Sequence, residues 1–298
     1  MTMRLPGFAY RRIEVDGVTI NTAVAGDGPP LLLLHGYPQT HLIWRHIGGE
    51  LARTNTVVLT DLRGYGDSAK PVPAQDNSTY SKRSMADDQI AVMAHLGFER
   101  FDLIGHDRGA RVAHRLVLDH PETVGRLGVL DIVPTRHVLL HADRMMAAAY
   151  FHWFFLPTGD GIPEHLIGLD PAFWVRVTTE RLIGDPSAME PEVMAEYIRC
   201  FSDPAAIAAS CADYRSAATV DLEHDDDSAA AAQSVRCPTL ALWGEKSFVG
   251  KAYRPLEVWR EYAANVRGRA LPTGHFLPEE APAEVLSEIQ EFLASSAS

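Results

Sequence analysis

What this 298-residue chain has little of narrows the reading first. It carries 3 cysteines, Cys200, Cys211 and Cys237, an odd number with no C-x-x-C spacing. A disulfide framework is therefore not expected; reduced thiols in a cytoplasmic protein are. No apolar run reaches about 18 residues, so no membrane-spanning helix is expected. The basic residues within positions 1–12 are not followed by an apolar core, so no signal peptide is expected either. Positive charge is scarce: 27 Lys and Arg against 39 Asp and Glu give a formal net charge of −12. That balance argues against nucleic acid and anionic membrane as partners. The densest charge run is Glu223-His224-Asp225-Asp226-Asp227. It reads as a solvated loop, because metal ligands rarely come from adjacent positions. No other His, Cys or Glu spacing suggests a metal, and no cofactor is expected. Internal repeats are also absent.

What is present is an ordinary apolar content, 46%, arranged in short runs. Residues 13–25 read as two strands around the turn Asp16-Gly17. Continuous apolar runs at 30–34, 56–60, 101–104, 127–132, 240–243 and 269–271 read as strands buried on both faces. Helical spacing lies between them, at 84–96 and 282–294 among others. Strands alternating with helices predict an α/β fold with a mostly parallel central sheet. The alternation breaks between 134 and 215, where the pattern is helical and rich in aromatics. We expect a core domain of residues 1–133 and 216–298 carrying an inserted helical lid, 134–215.

The most informative segment is Gly105-His106-Asp107-Arg108-Gly109. It stands between an apolar strand and a helical pattern, the context of a nucleophile elbow with glycines on either side of the reactive residue. Here that residue is Asp107. A carboxylate attacks a carbon bearing a leaving group and forms an ester. The bland alternative, an aspartate that merely caps the helix, leaves the glycines unexplained. Arg111 lies one helical turn from Asp107, and Arg108 follows it directly. Two guanidiniums can grip a carboxylate with paired, charge-assisted hydrogen bonds. Surface ion pairing is the usual fate of an arginine, but two beside an elbow favour a small acidic substrate.

These residues, together with His35-Gly36-Tyr37-Pro38, Leu130-Asp131-Ile132-Val133-Pro134-Thr135, His152-Trp153, Asp213-Tyr214-Arg215 and Gly274-His275-Phe276, closely resemble the fluoroacetate dehalogenases. Those enzymes are members of the α/β-hydrolase fold superfamily. The matching pieces span nearly the whole chain. The resemblance implies hydrolytic dehalogenation of a short 2-haloacid such as fluoroacetate or chloroacetate, with haloacid and water as the reactants. It implies Asp107 as nucleophile and His275 as the base that activates water. Asp131 is the implied orienter of His275, with Glu245 as the rival acid. Arg108 and Arg111 would hold the substrate carboxylate. His152, Trp153 and Tyr214 would donate hydrogen bonds to the halide. The backbone N–H groups of Tyr37 and Arg108 would form the oxyanion hole. A homodimer is implied as well. Read without the resemblance, the lid aromatics are packing residues, and His35 and His106 are structural. A haloalkane dehalogenase would carry a tryptophan at Arg108. An epoxide hydrolase would need two lid tyrosines, for which Tyr150, Tyr197 and Tyr214 are available. A silent carboxylate-binding protein would bind acid without releasing halide.

Overall fold

The computed structural model describes residues 3–295. Eight strands form one sheet: β1 (Ala9–Val15), β2 (Val18–Ala25), β3 (Pro30–Leu34), β4 (Thr56–Thr60), β5 (Phe101–His106), β6 (Val124–Leu130), β7 (Thr239–Gly244) and β8 (Val266–Leu271). Their order is β1-β2-β4-β3-β5-β6-β7-β8. β2 runs antiparallel to both β1 and β4, and every other neighbouring pair is parallel. The central strands are apolar because helices cover both faces: Leu31 to Leu34 and Val57 to Leu59 have no exposed surface.

The two edges are protected by charge. β1 turns Arg11, Arg12 and Glu14 to solvent. On β8, Arg267 and Arg269 pair with Glu291 and Glu288 of the helix Pro282–Ala294, at 3.2 and 2.5 Å. This one-sided exposure is why β8 begins at Val266, three residues before the apolar run that marks it in the sequence.

From β3 the chain passes to β4 on one side, and β5 then takes the place on the other side. Their carboxyl ends therefore flank the point where the strand order reverses, which is where open α/β sheets place their sites. The loop after β3 carries Tyr37, and the turn after β5 carries Asp107.

Between β6 and β7 the chain is built from helices, beginning with Thr135–Leu140 and ending with Val220–Ala230. The expected boundary at 215 falls inside a continuous helix, Pro204–Ala218. Glu223 to Asp227 is not a loop but part of the helix Val220–Ala230. Asp221 and Glu223 lie in its first turn, where negative charge meets the positive end of the helix dipole. Asp226 pairs with Arg136 at 2.6 Å and Asp225 lies 3.6 Å from Arg115, which offsets the crowding of like charge further along. Among the described residues no helix is long and apolar enough to cross a membrane.

Candidate active site

The turn after β5 is held open by backbone strain. Asp107 has φ 48° and ψ −116°, outside the regions an L-residue favours. The residues two places away on either side must be glycine. A Cβ on Gly105 would lie 2.5 Å from the Ala110 nitrogen, and one on Gly109 would lie 2.4 Å from the His35 carbonyl oxygen. The strain lifts the Asp107 side chain off the sheet and starts the helix Arg108–Asp119 beneath it.

The two carboxylate oxygens of Asp107 have different surroundings. Oδ1 accepts from the Tyr37 backbone N–H at 2.9 Å. Oδ2 lies 3.7 Å from His275 Nε2. The Arg108 amide makes no bond to this carboxylate in the present geometry. Burial opposes the charge on Asp107, but His275, His106, Arg108 and Arg111 together hold its pKa down at about 2.

His275 Nδ1 donates to Asp131 Oδ2 at 2.6 Å. Asp131, just beyond β6 with φ 52°, also accepts at Oδ1 from the Gly244 N–H (2.9 Å) and the Ser247 hydroxyl (2.8 Å). Burial lowers the His275 pKa, but the bond to Asp131 and the charges of Asp131 and Asp107 outweigh it, and the net direction is up. Glu245, the rival acid, is exposed and makes no bond to His275.

The two arginines are both buried yet held differently. Arg108 is gripped by Asp213: its Nε donates to Oδ2 at 3.0 Å and its Nη2 bonds Oδ1. Lys82 binds the same Oδ1, and the Tyr65 hydroxyl donates to Oδ2 at 2.6 Å. Burial would raise the Asp213 pKa, but the two cations drive it down. Only Nη1 of Arg108 is left buried without a partner. Arg111 has no carboxylate bonded to it. Its Nη1 donates to the Val133 carbonyl at 3.1 Å and to the Thr135 hydroxyl at 3.0 Å, and its Nε is unpartnered. Burial, then the Arg108 charge, lowers its pKa.

Helices inserted between β6 and β7 cover these groups. The Arg111 guanidinium sits 4.6 Å from the Trp153 ring centroid and that of Arg108 sits 4.3 Å from Tyr214. Trp153 meets Tyr214 edge-on at 5.8 Å, and Tyr214 meets His152 edge-on at 5.6 Å. His152 touches Tyr150 at 5.3 Å, and Tyr150 faces His275 at 6.5 Å. All the residues expected from the sequence thus line one continuous buried region. Burial pushes His152 down to about 3, so its ring is neutral at ordinary pH.

His35 and His106 serve the scaffold. The Leu62 N–H donates to His35 Nε2 at 3.0 Å, while its Nδ1 bonds the Gly36 carbonyl. His106 Nε2 donates to the His275 carbonyl at 2.8 Å, so it braces the His275 main chain from behind. Sequence reasoning missed Asp213 and Lys82 as the holders of Arg108, Ser247 as a support of Asp131, and Trp174, whose indole bonds the Tyr37 hydroxyl. Asp213 could have been found, since a buried arginine needs a buried acid. Nothing in the order of residues marks the others. Among the described residues no group of three or more His, Cys, Asp or Glu is arranged to hold a metal ion.

Comparison with known proteins agrees with this architecture. The alpha/beta hydrolase fold family matches residues 29–282. A fluoroacetate dehalogenase from Burkholderia sp is 43% identical over 98% of this chain and 96% of its own length. A soluble epoxide hydrolase from Corynebacterium sp. (strain C12) is 35% identical over 96% of this chain and 97% of its own. The solved structure of ALR0039 from Nostoc sp PCC 7120 superposes with a TM-score of 0.95 at 52% identity, covering 97% of this chain and 99% of that one.

Proposed function

The chain belongs to the α/β-hydrolase fold family, and from that premise we propose that it hydrolyses short 2-haloacids such as fluoroacetate or chloroacetate to the 2-hydroxy acid. One observation carries the choice of substrate. Arg111 is a buried cation near the Asp107 carboxylate with no carboxylate bonded to it. A buried charge without a partner is costly. An anionic substrate supplies that partner and turns the cost into binding. Arg108 adds its own buried, unpartnered Nη1.

Asp107 Oδ2 attacks the halogen-bearing carbon. The carbon–halogen bond breaks, halide leaves with the electron pair, and an ester to Asp107 remains. His152, Trp153 and Tyr214 offer N–H and O–H donors to the departing halide, where negative charge develops. Water then adds to the Asp107 carboxyl carbon and gives its proton to His275 Nε2. Negative charge collects on Oδ1, where the Tyr37 N–H already donates and the Arg108 N–H can join it. Collapse breaks the bond between that carbon and the ester oxygen. The hydroxy acid leaves with the proton from His275, and Asp131 has held the imidazolium meanwhile. The water's second proton is left on the Asp107 carboxyl, which sheds it to solvent because its pKa is held at about 2. Esterification removes the Asp107 charge that raises the His275 pKa. The base is therefore more readily neutral in the step that needs it.

The helices of residues 134–215 would act as the lid, which fits the burial of every group above. A homodimer is part of the same proposal. Ile162, Leu166, Leu169 and Phe173 are exposed on consecutive helices of that segment, an apolar face a second copy could cover. A cytoplasmic location is in keeping with three unpaired cysteines.

The test is halide release from fluoroacetate and chloroacetate, with Asp107→Asn as control. A single turnover in heavy-oxygen water should label Asp107 and leave the first product unlabelled. The second reading, epoxide hydrolysis, is favoured by two buried tyrosines, Tyr150 and Tyr214, beside the same aspartate, and by the Corynebacterium relative. Diol from styrene oxide without halide from either acid would establish it instead.

A further inference from the structure

His275 is carried on a loop that has no regular structure of its own, yet its imidazole must stay aligned with both Asp131 and Asp107. The side chain of Glu280 explains how. Its Oε2 accepts from the backbone N–H of Gly274 at 2.8 Å, on the His275 loop, and Oε1 accepts from the N–H of Phe276 at 3.0 Å. Oε2 also accepts from Gly184 at 2.8 Å and Asp185 at 3.1 Å, both in the segment between lid helices. One carboxylate therefore takes four backbone donors, two from each side. The His275 N–H itself donates to the Leu182 carbonyl at 2.9 Å. The two segments approach so closely that a Cβ on Gly184 would lie 2.4 Å from the Gly274 nitrogen, and one on Gly274 would lie 2.2 Å from the Gly184 nitrogen. Neighbouring Glu279 turns the other way, to Tyr197 at 2.8 Å and Gln39 at 3.1 Å, and does not share this task.

We infer that Glu280 is a positioning residue for the water-activation step, clamping the His275 loop to lid residues 182–185. It touches neither substrate nor reacting atoms. Three donors converge on Oε2 and share its two lone pairs, while Oε1 takes the fourth. Charge-assisted hydrogen bonds of this kind are short and directional, which suits a clamp. None of the four donors comes from the Asp107 turn, from Arg108 or from Arg111. The clamp thus bears on the second half of the reaction and spares the first.

This inference rests on the two-step reading above, and the experiment separates the two. Rapid-quench measurement with chloroacetate resolves a first-turnover burst of halide, made by Asp107, from the steady rate set by ester hydrolysis. In Glu280→Ala the burst should persist while the steady rate falls at least tenfold, with the Asp107 ester accumulating in intact-protein mass spectra. Glu280→Gln keeps one accepting oxygen and should recover part of the steady rate. Gly184→Ala drives a Cβ against the Gly274 nitrogen and Glu280 Oε2, which forces the lid segment and the His275 loop apart. It should reproduce the Glu280→Ala phenotype, which keeps the test open if Glu280→Ala fails to fold. Equal loss of burst and steady rate in the folded variants would overturn the clamp, as would an unchanged steady rate in Gly184→Ala. No halide from the wild-type chain would instead overturn the two-step dehalogenase reading.

Discussion

Asp131 and His275, 144 residues apart in the chain, share a hydrogen bond of 2.6 Å, and Asp131 keeps its second oxygen for Gly244 and Ser247. The imidazole is thereby fixed with its proton on Nδ1 and its lone pair on Nε2, facing Asp107. Asp131→Asn should lose this tautomer and slow steady turnover on the order of 10³–10⁴-fold, with the halide burst retained. Glu245→Gln should leave both rates unchanged. An Asp131→Asn variant that turns over normally would remove Asp131 from the catalytic set.

The two arginines should fail in different ways. Arg111→Met removes the cation that lacks a bonded acid, and a charge-assisted bond is worth about 1.5–3 kcal/mol. Its kcat/KM for chloroacetate should fall by about 10–150-fold for each bond lost. Its relative rate with uncharged chloroacetamide should rise. Asp213→Asn strips the acid from buried Arg108 and leaves buried Lys82 with Asp221 alone, at 3.6 Å. The expected cost is about 3–5 kcal/mol of stability, read by urea unfolding.

Trp153→Phe and Tyr214→Phe each delete one donor while keeping most of the ring. Removing a donor aimed at developing charge costs on the order of 10²-fold. Fluoride is the poorer leaving group, so the loss should be greater with fluoroacetate than with chloroacetate. Equal losses with both acids would assign these two side chains to packing.

The two half-reactions should differ in their response to acid. Asp107, held at about 2, stays ionised far below neutral pH. His275 must be neutral to accept a proton, and its pKa is raised. The halide burst should therefore be flat from about pH 4 upward, while the steady rate falls as pH drops through the His275 pKa. A burst and a steady rate that fall together would contradict this assignment.

Stability should also fall in acid, for a separate reason. Burial pushes His114 down to about 3, and its Nε2 has no partner beside Trp259. The unfolded chain takes up a proton near pH 6.5 that the folded one refuses, so stability declines as pH falls below that value. One such histidine contributes about 1.4 kcal/mol per pH unit. His114→Gln should flatten the slope of unfolding free energy between pH 6 and pH 4 by about that amount.

Much of this was legible in the order of residues. Runs such as Leu31 to Leu34 announce strands buried on both faces, and the glycines around Asp107 announce the turn. The choice between Asp131 and Glu245 was not legible, because both follow a strand; only the position of the His275 loop separates them. The acidic helix Val220–Ala230 was missed because its partners, Arg115 and Arg136, are about 90–110 residues away and local composition alone suggests solvent. The clamp at Glu280 was invisible for a related reason: its donors are main-chain groups, which every sequence possesses.

The strained turn has a consequence for redesign. It is the main chain, locked by two glycines, that aims residue 107; the carboxylate inherits its direction and does not create it. A hydroxyl or thiol grafted at that position would point the same way. Its chemistry would change, while the buried arginines of the helix that follows would keep their pull on small anions.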